Sequence, residues 1–289
     1  MDLQSLRIFC VVAAELSITR AAARLGRAQS NVTTRIQLLE ADIGVELFVR
    51  TGKRMSLSTA GERFLGYAQR FLALEEEVRH VVTGGLEGGV LRLGCMESTA
   101  ASRLPAVLAA YHSRYPRTRL QVTTGPSRLL FEHVRTGHLD CAFLALPPGL
   151  EEEESLERMG MTAQAAWSEE LLFVLPASES SAKRPADVQT RCLAAFAQGC
   201  TYRALAEEKL GIAENTEWSV QEMGSYHAMI ACVAAGASVT LLPKSVLDLS
   251  KAPQALKTLP AGRTDTCLVW RTGYDVPAFQ NLLNQLRRV

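Results

Sequence analysis

The apolar residues near the start of the chain recur every three or four positions, the spacing of helices that bury one face. The members of a first such helix are Leu3, Leu6, Phe9, Ala13 and Leu16. A second helix has Ala21, Ala22 and Leu25 on its inner face and ends at Gly26. A third buries a stripe formed by Val32, Ile36, Leu39 and Ile43. Because glycine tolerates the left-handed backbone that ends a helix, these elements predict a helix-turn-helix unit.

The third predicted helix has a polar outer face. Its short or hydrogen-bonding side chains are Gln29, Ser30, Asn31, Thr33, Thr34, Arg35 and Gln37. Side chains of this kind can contact base edges and phosphates when a helix enters the major groove of double-stranded DNA. An ordinary alanine-rich helical hairpin is the competing interpretation. The spacing Ala22-x3-Gly26-x5-Val32 and the polar face together favour a DNA-binding unit.

A short hairpin with a basic tip is predicted directly after the third helix. Its tip has the sequence RTGKR, and the alternating Met55 and Leu57 follow. We expect Arg50, Lys53 and Arg54 to contact phosphates or the minor groove. A solvated basic hairpin is the alternative, and it is disfavoured by the helix that comes before it. Residues 1–58 are therefore predicted to form a winged helix-turn-helix domain.

A long helix is predicted next, and it starts at the capping-box pattern Thr59-Ala-Gly-Glu62. Its apolar residues alternate at spacings of three and four, as in a coiled coil: Phe64, Tyr67, Phe71, Leu74, Val78 and Val81. We expect a dimerisation linker over residues 59–87, with Phe71 and Leu74 buried between two chains. The alternative is a core helix of the next domain. The glycines at 84, 85, 88 and 89 favour a hinge instead.

From residue 90 the pattern changes to alternating apolar strands and amphipathic helices. The predicted strands are 90–95, 120–125, 141–146, 170–176, 191–197, 218–223, 238–243 and 266–271. The predicted helices are 101–114, 127–137, 201–211, 226–236 and a last one from about 276. This series predicts an α/β domain over residues 88–289 with a mostly parallel sheet and a chain crossing near 163–170. Its two halves, 88–162 with 268–289 and 163–267, would enclose a ligand cleft.

Length, charge and cysteine content exclude few classes of function. A chain of 289 residues suggests two or three folding units, and a net charge of +1 by itself gives no evidence for nucleic acid. Seven scattered cysteines without a CxxC pair predict buried free thiols in a reducing cytoplasm, and no metal or cofactor is expected. The start of the chain predicts no signal peptide, and no apolar run is long enough for a membrane span.

Several segments together resemble the LysR-type transcriptional regulators over the whole chain. They are LRIFCVVAAELSITRAAARLGRAQSNVTTRIQLLEADIGVELFVR, LSTAGERF, LRLGCMESTAASRLPAVLAAYHSRYP and ACVAAGASVTLLPKSVL. One departure is Thr34, where the family usually has Arg, followed by Arg35 where it usually has Gln. Base preference is therefore expected to differ from the common pattern. More narrowly, SNVTTRI, MESTAASRLP, TTGPS and SYHAMIACV resemble the putrescine-utilisation regulators.

The resemblance implies an α/β protein overall. Its parts would be an N-terminal winged helix-turn-helix, a long linker helix and a C-terminal periplasmic-binding-protein-like effector domain of two subdomains. It also implies a homodimer through the linker helix, often a tetramer, that binds pseudo-palindromic operators and responds to a small co-inducer. RNA polymerase is a further candidate partner, and no membrane partner is expected.

Candidate effector residues follow the predicted strands of the cleft: Glu97, Ser98, Thr99, Ser127, Cys200, Thr201, Glu222 and Ser225. Hydroxyls at helix N-termini favour an anion, although each of them could equally be an N-cap. The carboxylates of Glu97 and Glu222 together favour an amine, although for either one alone a solvated glutamate or a local ion pair is the favoured interpretation. A diamine such as putrescine is the preferred effector, with a carboxylate or amino acid as the alternative.

Three other functions compete with a regulator that responds to a metabolite. The chain shows none of the GxSxG, GxxxxGK[ST], HExxH or GxGxxG patterns of common enzymes, so no enzyme is predicted. A secreted binding protein would explain residues 90–289 and leave the helix-turn-helix unexplained. A redox sensor on the same fold would need a reactive pair, for which Cys192 and Cys200 are the nearest candidates.

Overall fold

The computed structural model describes residues 1–51, 54–82, 89–150, 152–250 and 256–287, and the side chains of 50, 51 and 80 lie outside that description. The chain divides into two compact units. The first consists of residues 1–84 with 136–138, and the second of residues 85–135 and 139–289. Each unit has its own hydrophobic core.

Four helices and a hairpin form the first unit. They are α1 (Leu3–Glu15), α2 (Ile18–Leu25), α3 (Gln29–Ile43), β1 (Phe48–Thr51), β2 (Arg54–Leu57) and α4 (Thr59–Val82). Asp2 and Ser17 cap α1 and α2, and α2 ends at Gly26 with φ +62°. At the centre of the core the Phe9 ring lies 5.4 Å from that of Phe48 and 5.0 Å from that of Phe64. The predicted helix-turn-helix and wing are therefore both present.

Several details of this unit differ from the sequence predictions, and Leu3 and Leu16, expected on the buried face of α1, are 41 % and 44 % exposed. Ile43 is 36 % exposed, so the buried stripe of α3 ends one turn early, beside the helix end at Gly44. The cap of α4 is Ser58 and not Thr59, because the Ser58 hydroxyl accepts from Gly61 N at 2.9 Å. The same hydroxyl donates to Glu46 O at 2.7 Å. Because Glu46 lies 12 residues earlier in the chain, a capping-box pattern, which spans four residues, cannot predict this contact.

The second unit alternates strands and helices from residue 90 onwards. Its strands are β3 (Val90–Cys95), β4 (Arg119–Thr124), β5 (Cys141–Ala145), β6 (Met161–Leu175), β7 (Cys192–Ala195), β8 (Ser219–Glu222), β9 (Thr240–Pro243) and β10 (Lys257–Arg271). Its helices are α5 (Glu97–Ser102), α6 (Leu104–Arg114), α7 (Ser127–Arg135), α8 (Glu153–Arg158), α9 (Thr201–Leu210), α10 (Tyr226–Ala234), α11 (Lys244–Leu249) and α12 (Pro277–Leu286). The helix predicted over 101–114 is thus two helices, and α8 and α11 were not predicted.

The main sheet is mixed, so the prediction of a mostly parallel sheet was wrong. Six strands lie in the order β4-β3-β5-β10-β6-β9, and a bridge between Leu193 and Val239 brings the parallel pair β7-β8 beside β9. β3 is parallel to β4 and β5, whereas β10 is antiparallel to β5 and β6. The antiparallel part of the sheet is formed by β6 and β10. These two strands of 15 residues each pair with one another along their length and run through both halves of the unit.

The residues expected to form a crossing and then a strand belong to one strand, β6. Its middle is exposed or half-buried around Gln164 and Ser168, and only its ends are apolar and buried. The apolar run in the sequence therefore predicted only the C-terminal part of this strand. Among the described helices, none combines the length and apolarity needed to cross a membrane.

Candidate functional site

The outer face of α3 is the candidate DNA-reading surface of the first unit. Val32, Ile36 and Leu39 are buried, and at 100° per residue the opposite side of the helix has Ser30, Thr34 and Gln37, all exposed. Gln29 and Asn31 are also exposed and lie in the first turn, and Thr33 is half-buried on the flank. The helix starts after Ala28, which provides no side-chain cap.

Arg35 differs from the other predicted DNA contacts. Its Nη1 lies 3.2 Å from Oδ2 of Asp2, the residue that caps α1. Hydrogen bonds from the backbone, chiefly that of Ser5, lower the pKa of Asp2, and Arg35 lowers it further. Without DNA, Arg35 is therefore ion-paired with the residue that caps α1. It lies on the flank of α3, away from the outermost face of that helix.

The β1–β2 hairpin is antiparallel, with Phe48 opposite Leu57 and Thr51 opposite Arg54. The Arg54 side chain is exposed. The Arg50 side chain and Lys53 lie outside the described residues. The structure therefore places one of the three predicted wing cations on the surface.

A row of apolar side chains runs along α4 and is exposed. Tyr67, Phe71, Leu74, Val78 and Val81 are each 49–60 % exposed. These five residues are called the seam below. Phe64, the first predicted member, packs instead on Phe9 in the core of its own unit, so the seam begins one step later than expected.

A cavity of about 190 Å³ lies in the second unit at the carboxyl ends of β3, β4, β7 and β8. The helices α5, α7, α9 and α10 begin beside it. Its lining consists of Met96, Glu97, Ser98, Thr124, Gly125, Pro126, Ser127, Phe196, Ala197, Cys200, Tyr202, Met223, Gly224 and Tyr226. Most of the wall is apolar, and among the described residues that line it there is no Lys or Arg.

Four of the eight predicted effector residues line this cavity: Glu97, Ser98, Ser127 and Cys200. Met96 lies at the same end of β3, and its Sδ accepts from Ser127 Oγ at 3.2 Å and from Ala145 N at 3.3 Å. The Ser127 hydroxyl is thus held against the cavity wall by a thioether.

The other four predicted residues lie outside the lining, and three of them have local structural roles. Thr201 Oγ1 donates to Ala145 O at 3.0 Å, which fixes the start of α9 on β5. Glu222 Oε1 accepts from Arg203 Nη1 at 2.6 Å. Ser225 caps α10, and Thr99 is 2 % exposed. Ser225 is therefore an N-cap and Glu222 is ion-paired, as the alternative interpretations of these two residues predicted.

Three aromatic residues of the cavity were not among the predicted effector residues: Phe196, Tyr202 and Tyr226. The Tyr202 hydroxyl is buried and has no hydrogen-bond partner among the described residues. Burial raises the pKa of Tyr202 and Tyr226, so both phenols stay neutral at physiological pH. An unpartnered buried hydroxyl costs free energy until a ligand or water pairs with it.

The thiols of the described residues are poorly suited to a redox switch. All seven cysteines are free, and burial raises the pKa of Cys10 and Cys267 to about 11 and that of Cys95 to about 12. Cys192 pairs in register with Ser219 at the amino end of β7, whereas Cys200 lies past the other end of that strand. The strand spans about 10 Å, and a disulfide needs its Cα atoms within about 7 Å. This geometry disfavours the Cys192–Cys200 pair.

Comparison with known families agrees with this architecture. Residues 3–62 match the family described as "Bacterial regulatory helix-turn-helix protein, lysR family", and residues 84–289 match "LysR substrate binding domain". The chain therefore belongs to the LysR family of transcriptional regulators, and the predicted fold class is confirmed. It is a DNA-binding regulator with an effector-binding domain.

Individual relatives extend over nearly the whole chain. The Bacillus subtilis (strain 168) protein named "Uncharacterized HTH-type transcriptional regulator YusT" is 35 % identical over 90 % of this chain and 85 % of its own length. YofA of Bacillus velezensis is 34 % identical over 99 % of this chain and 98 % of its own. The solved structure of CbnR complexed with its target DNA has a TM-score of 0.67 at 21 % identity, covering 100 % of this chain and 99 % of that one.

Proposed function

We propose that the chain reads double-stranded DNA through Ser30, Thr34 and Gln37 on α3 and through Arg54 on the wing. The observation that carries this proposal is the polar, exposed side of α3 opposite its buried stripe. Gln29, Asn31 and Thr33 border the same surface. The predicted domain boundaries at residues 58 and 87 stay predictions. Because its partner is chromosomal DNA, we place the protein in the cytoplasm.

Two substitutions should separate reading of the sequence from attraction to the backbone. Arg54→Ala is expected to weaken binding to all duplexes alike and to reduce the slope of log K against log salt by about one unit, since one phosphate is then no longer neutralised. Thr34→Ala is expected to leave that slope unchanged and to alter the ranking of duplex sequences. Fluorescence anisotropy over a salt series measures both effects. An unchanged slope for Arg54→Ala would remove the wing from the interface.

The seam on α4 supports assembly into a homodimer. Two copies packed along their seams would cover five half-exposed apolar side chains in each chain. A two-fold dimer also matches a pseudo-palindromic operator, because each half-site then meets one reading helix. A tetramer would pair two such dimers.

For the effector we propose a small aliphatic amine, with the diamine putrescine as the candidate that the sequence resemblance favours. Glu97 provides one carboxylate at the cavity, whereas Glu222 is ion-paired with Arg203 and is not available. Aromatic faces of Phe196 and Tyr226 attract cations, and no Lys or Arg lies among the described lining residues to repel one. A carboxylate or amino acid held by helix N-termini and the Tyr202 hydroxyl is the competing ligand class.

Calorimetric titration of the full chain with putrescine and with succinate tests the effector class. We expect putrescine to bind and Glu97→Gln to weaken it about 10- to 150-fold, because a charge-assisted hydrogen bond contributes roughly 1.5–3 kcal/mol. Glu222→Gln is the matched control and should leave the affinity unchanged. Binding of succinate but not putrescine, insensitive to Glu97→Gln, would exclude the amine and leave the regulator assignment intact.

A further inference from the structure

A hydrogen-bonded junction at the base of the wing is centred on Leu47, whose side chain is fully buried. The Glu40 carboxylate reaches it from α3. Glu40 Oε1 accepts from Leu47 N at 2.8 Å and from Phe48 N at 3.1 Å. Two consecutive backbone donors on one oxygen fix both the position and the direction of the chain as it enters β1.

The same residue is bonded on its other side to the start of α4. Leu47 O accepts from Ser58 N at 2.9 Å, and Ser58 caps the helix through Gly61 N. Gly61 packs so closely on the Leu47 carbonyl that a Cβ at this position would overlap it. The wing base is therefore held between the reading helix and the dimerisation helix.

Packing holds the base of the wing, where Leu47 and Phe48 share a buried core with Ile36 and Leu39 of α3. A cavity of about 390 Å³ lies between α3 and the hairpin, lined by Thr33, Gln37 and Glu40 on one side and by Phe48, Val49 and Met55 on the other. Where this open space separates α3 from the hairpin, the two elements make fewer van der Waals contacts than at the buried wing base. The two bonds to Glu40 bridge the elements directly beside this cavity.

We propose that Glu40 is a positioning residue for DNA binding: it fixes the wing relative to α3, so that wing cations meet phosphates while α3 meets bases. The inference rests on the proposed DNA interface. Whether DNA binding becomes weaker or stronger when Glu40 is removed distinguishes a positioning role from simple repulsion of phosphates. A carboxylate near a DNA-binding surface repels phosphates, so its removal would strengthen binding if it had no positioning role.

The test uses the full chain and a random-sequence duplex over a salt series. Glu40→Ala is expected to weaken binding and to reduce the salt slope by about one unit for each phosphate that the wing no longer neutralises. Glu40→Gln should retain the slope, because its amide oxygen accepts the same two N–H groups. Glu46→Ala, which removes an exposed carboxylate beside the same cavity, should retain or strengthen binding. Circular dichroism checks that each variant is folded.

A double-mutant cycle distinguishes positioning from simple destabilisation. Arg54→Ala should weaken binding by wild type and have little further effect on Glu40→Ala, since the displaced wing no longer places Arg54 on a phosphate. If Glu40→Ala does not fold, Glu40→Asp takes its place: it keeps the charge and is too short to reach both donors. An equal effect of Arg54→Ala in both backgrounds, or tighter binding by Glu40→Ala, would overturn the positioning role. No effect of Arg54→Ala in wild type would overturn the wing interface itself, and this role with it.

Discussion

Leu74→Glu is expected to convert the protein from dimers to monomers. Leu74 lies in the middle of the seam and is 53 % exposed in the single chain. In a pair of α4 helices its side chain would be covered by the partner, and a carboxylate there would be desolvated opposite a second one. Sedimentation velocity measures the change. Val82→Glu is the matched control, because Val82 is on the same helix and 79 % exposed but is off the three-four repeat.

Loss of the dimer should also abolish tight operator binding. Each chain offers one reading helix, so a monomer engages a single half-site and forgoes the advantage of two linked half-sites. Weak, salt-sensitive binding to any duplex should remain, since the wing and α3 are intact. A Leu74→Glu protein that still sediments as a dimer would show that the seam is covered within one chain.

The parts of the fold predicted best are those set by local periodicity. The strand over 90–95 was located to the residue, and α2 ends at Gly26 as expected. The mixed sheet was missed because the middle of β6 is exposed or half-buried and has no regular apolar alternation, so periodicity could not show that residues 161 and 175 share one strand. Likewise the break between α5 and α6 at Arg103 was missed, although Pro105 in the first turn of α6 is a typical mark of a helix start.

The candidate site was predicted in part for a similar reason. Glu97 and Ser127 were found because residues after parallel strands gather at one edge of a sheet. Glu222 was misplaced because its partner, Arg203, is 19 residues away in the chain and belongs to another element. Tyr202 was missed because an aromatic residue in an amphipathic helix indicates a core position. Only the three-dimensional structure shows that its hydroxyl is buried without a partner among the described residues.

Two glycines of α4 should respond in opposite ways to the same substitution. Gly61→Ala is expected to destabilise the first unit by about 3 kcal/mol or more, because the new Cβ overlaps the Leu47 carbonyl oxygen and neither backbone can move without breaking the bonds to Ser58 and Glu40. Gly66→Ala meets nothing within 4 Å, so it should stabilise by about 0.5–1 kcal/mol through helix propensity alone.

Urea unfolding followed by circular dichroism measures both shifts. Because Gly66→Ala carries the same chemical change on the same helix, the difference between the variants isolates the contact at Leu47. Displacement of Leu47 should also move the wing. If the Gly61→Ala variant folds, its DNA binding should therefore show the same reduced slope of log K against log salt as that of Glu40→Ala. An unchanged or increased stability of Gly61→Ala would mean that α4 and the wing base separate at little cost.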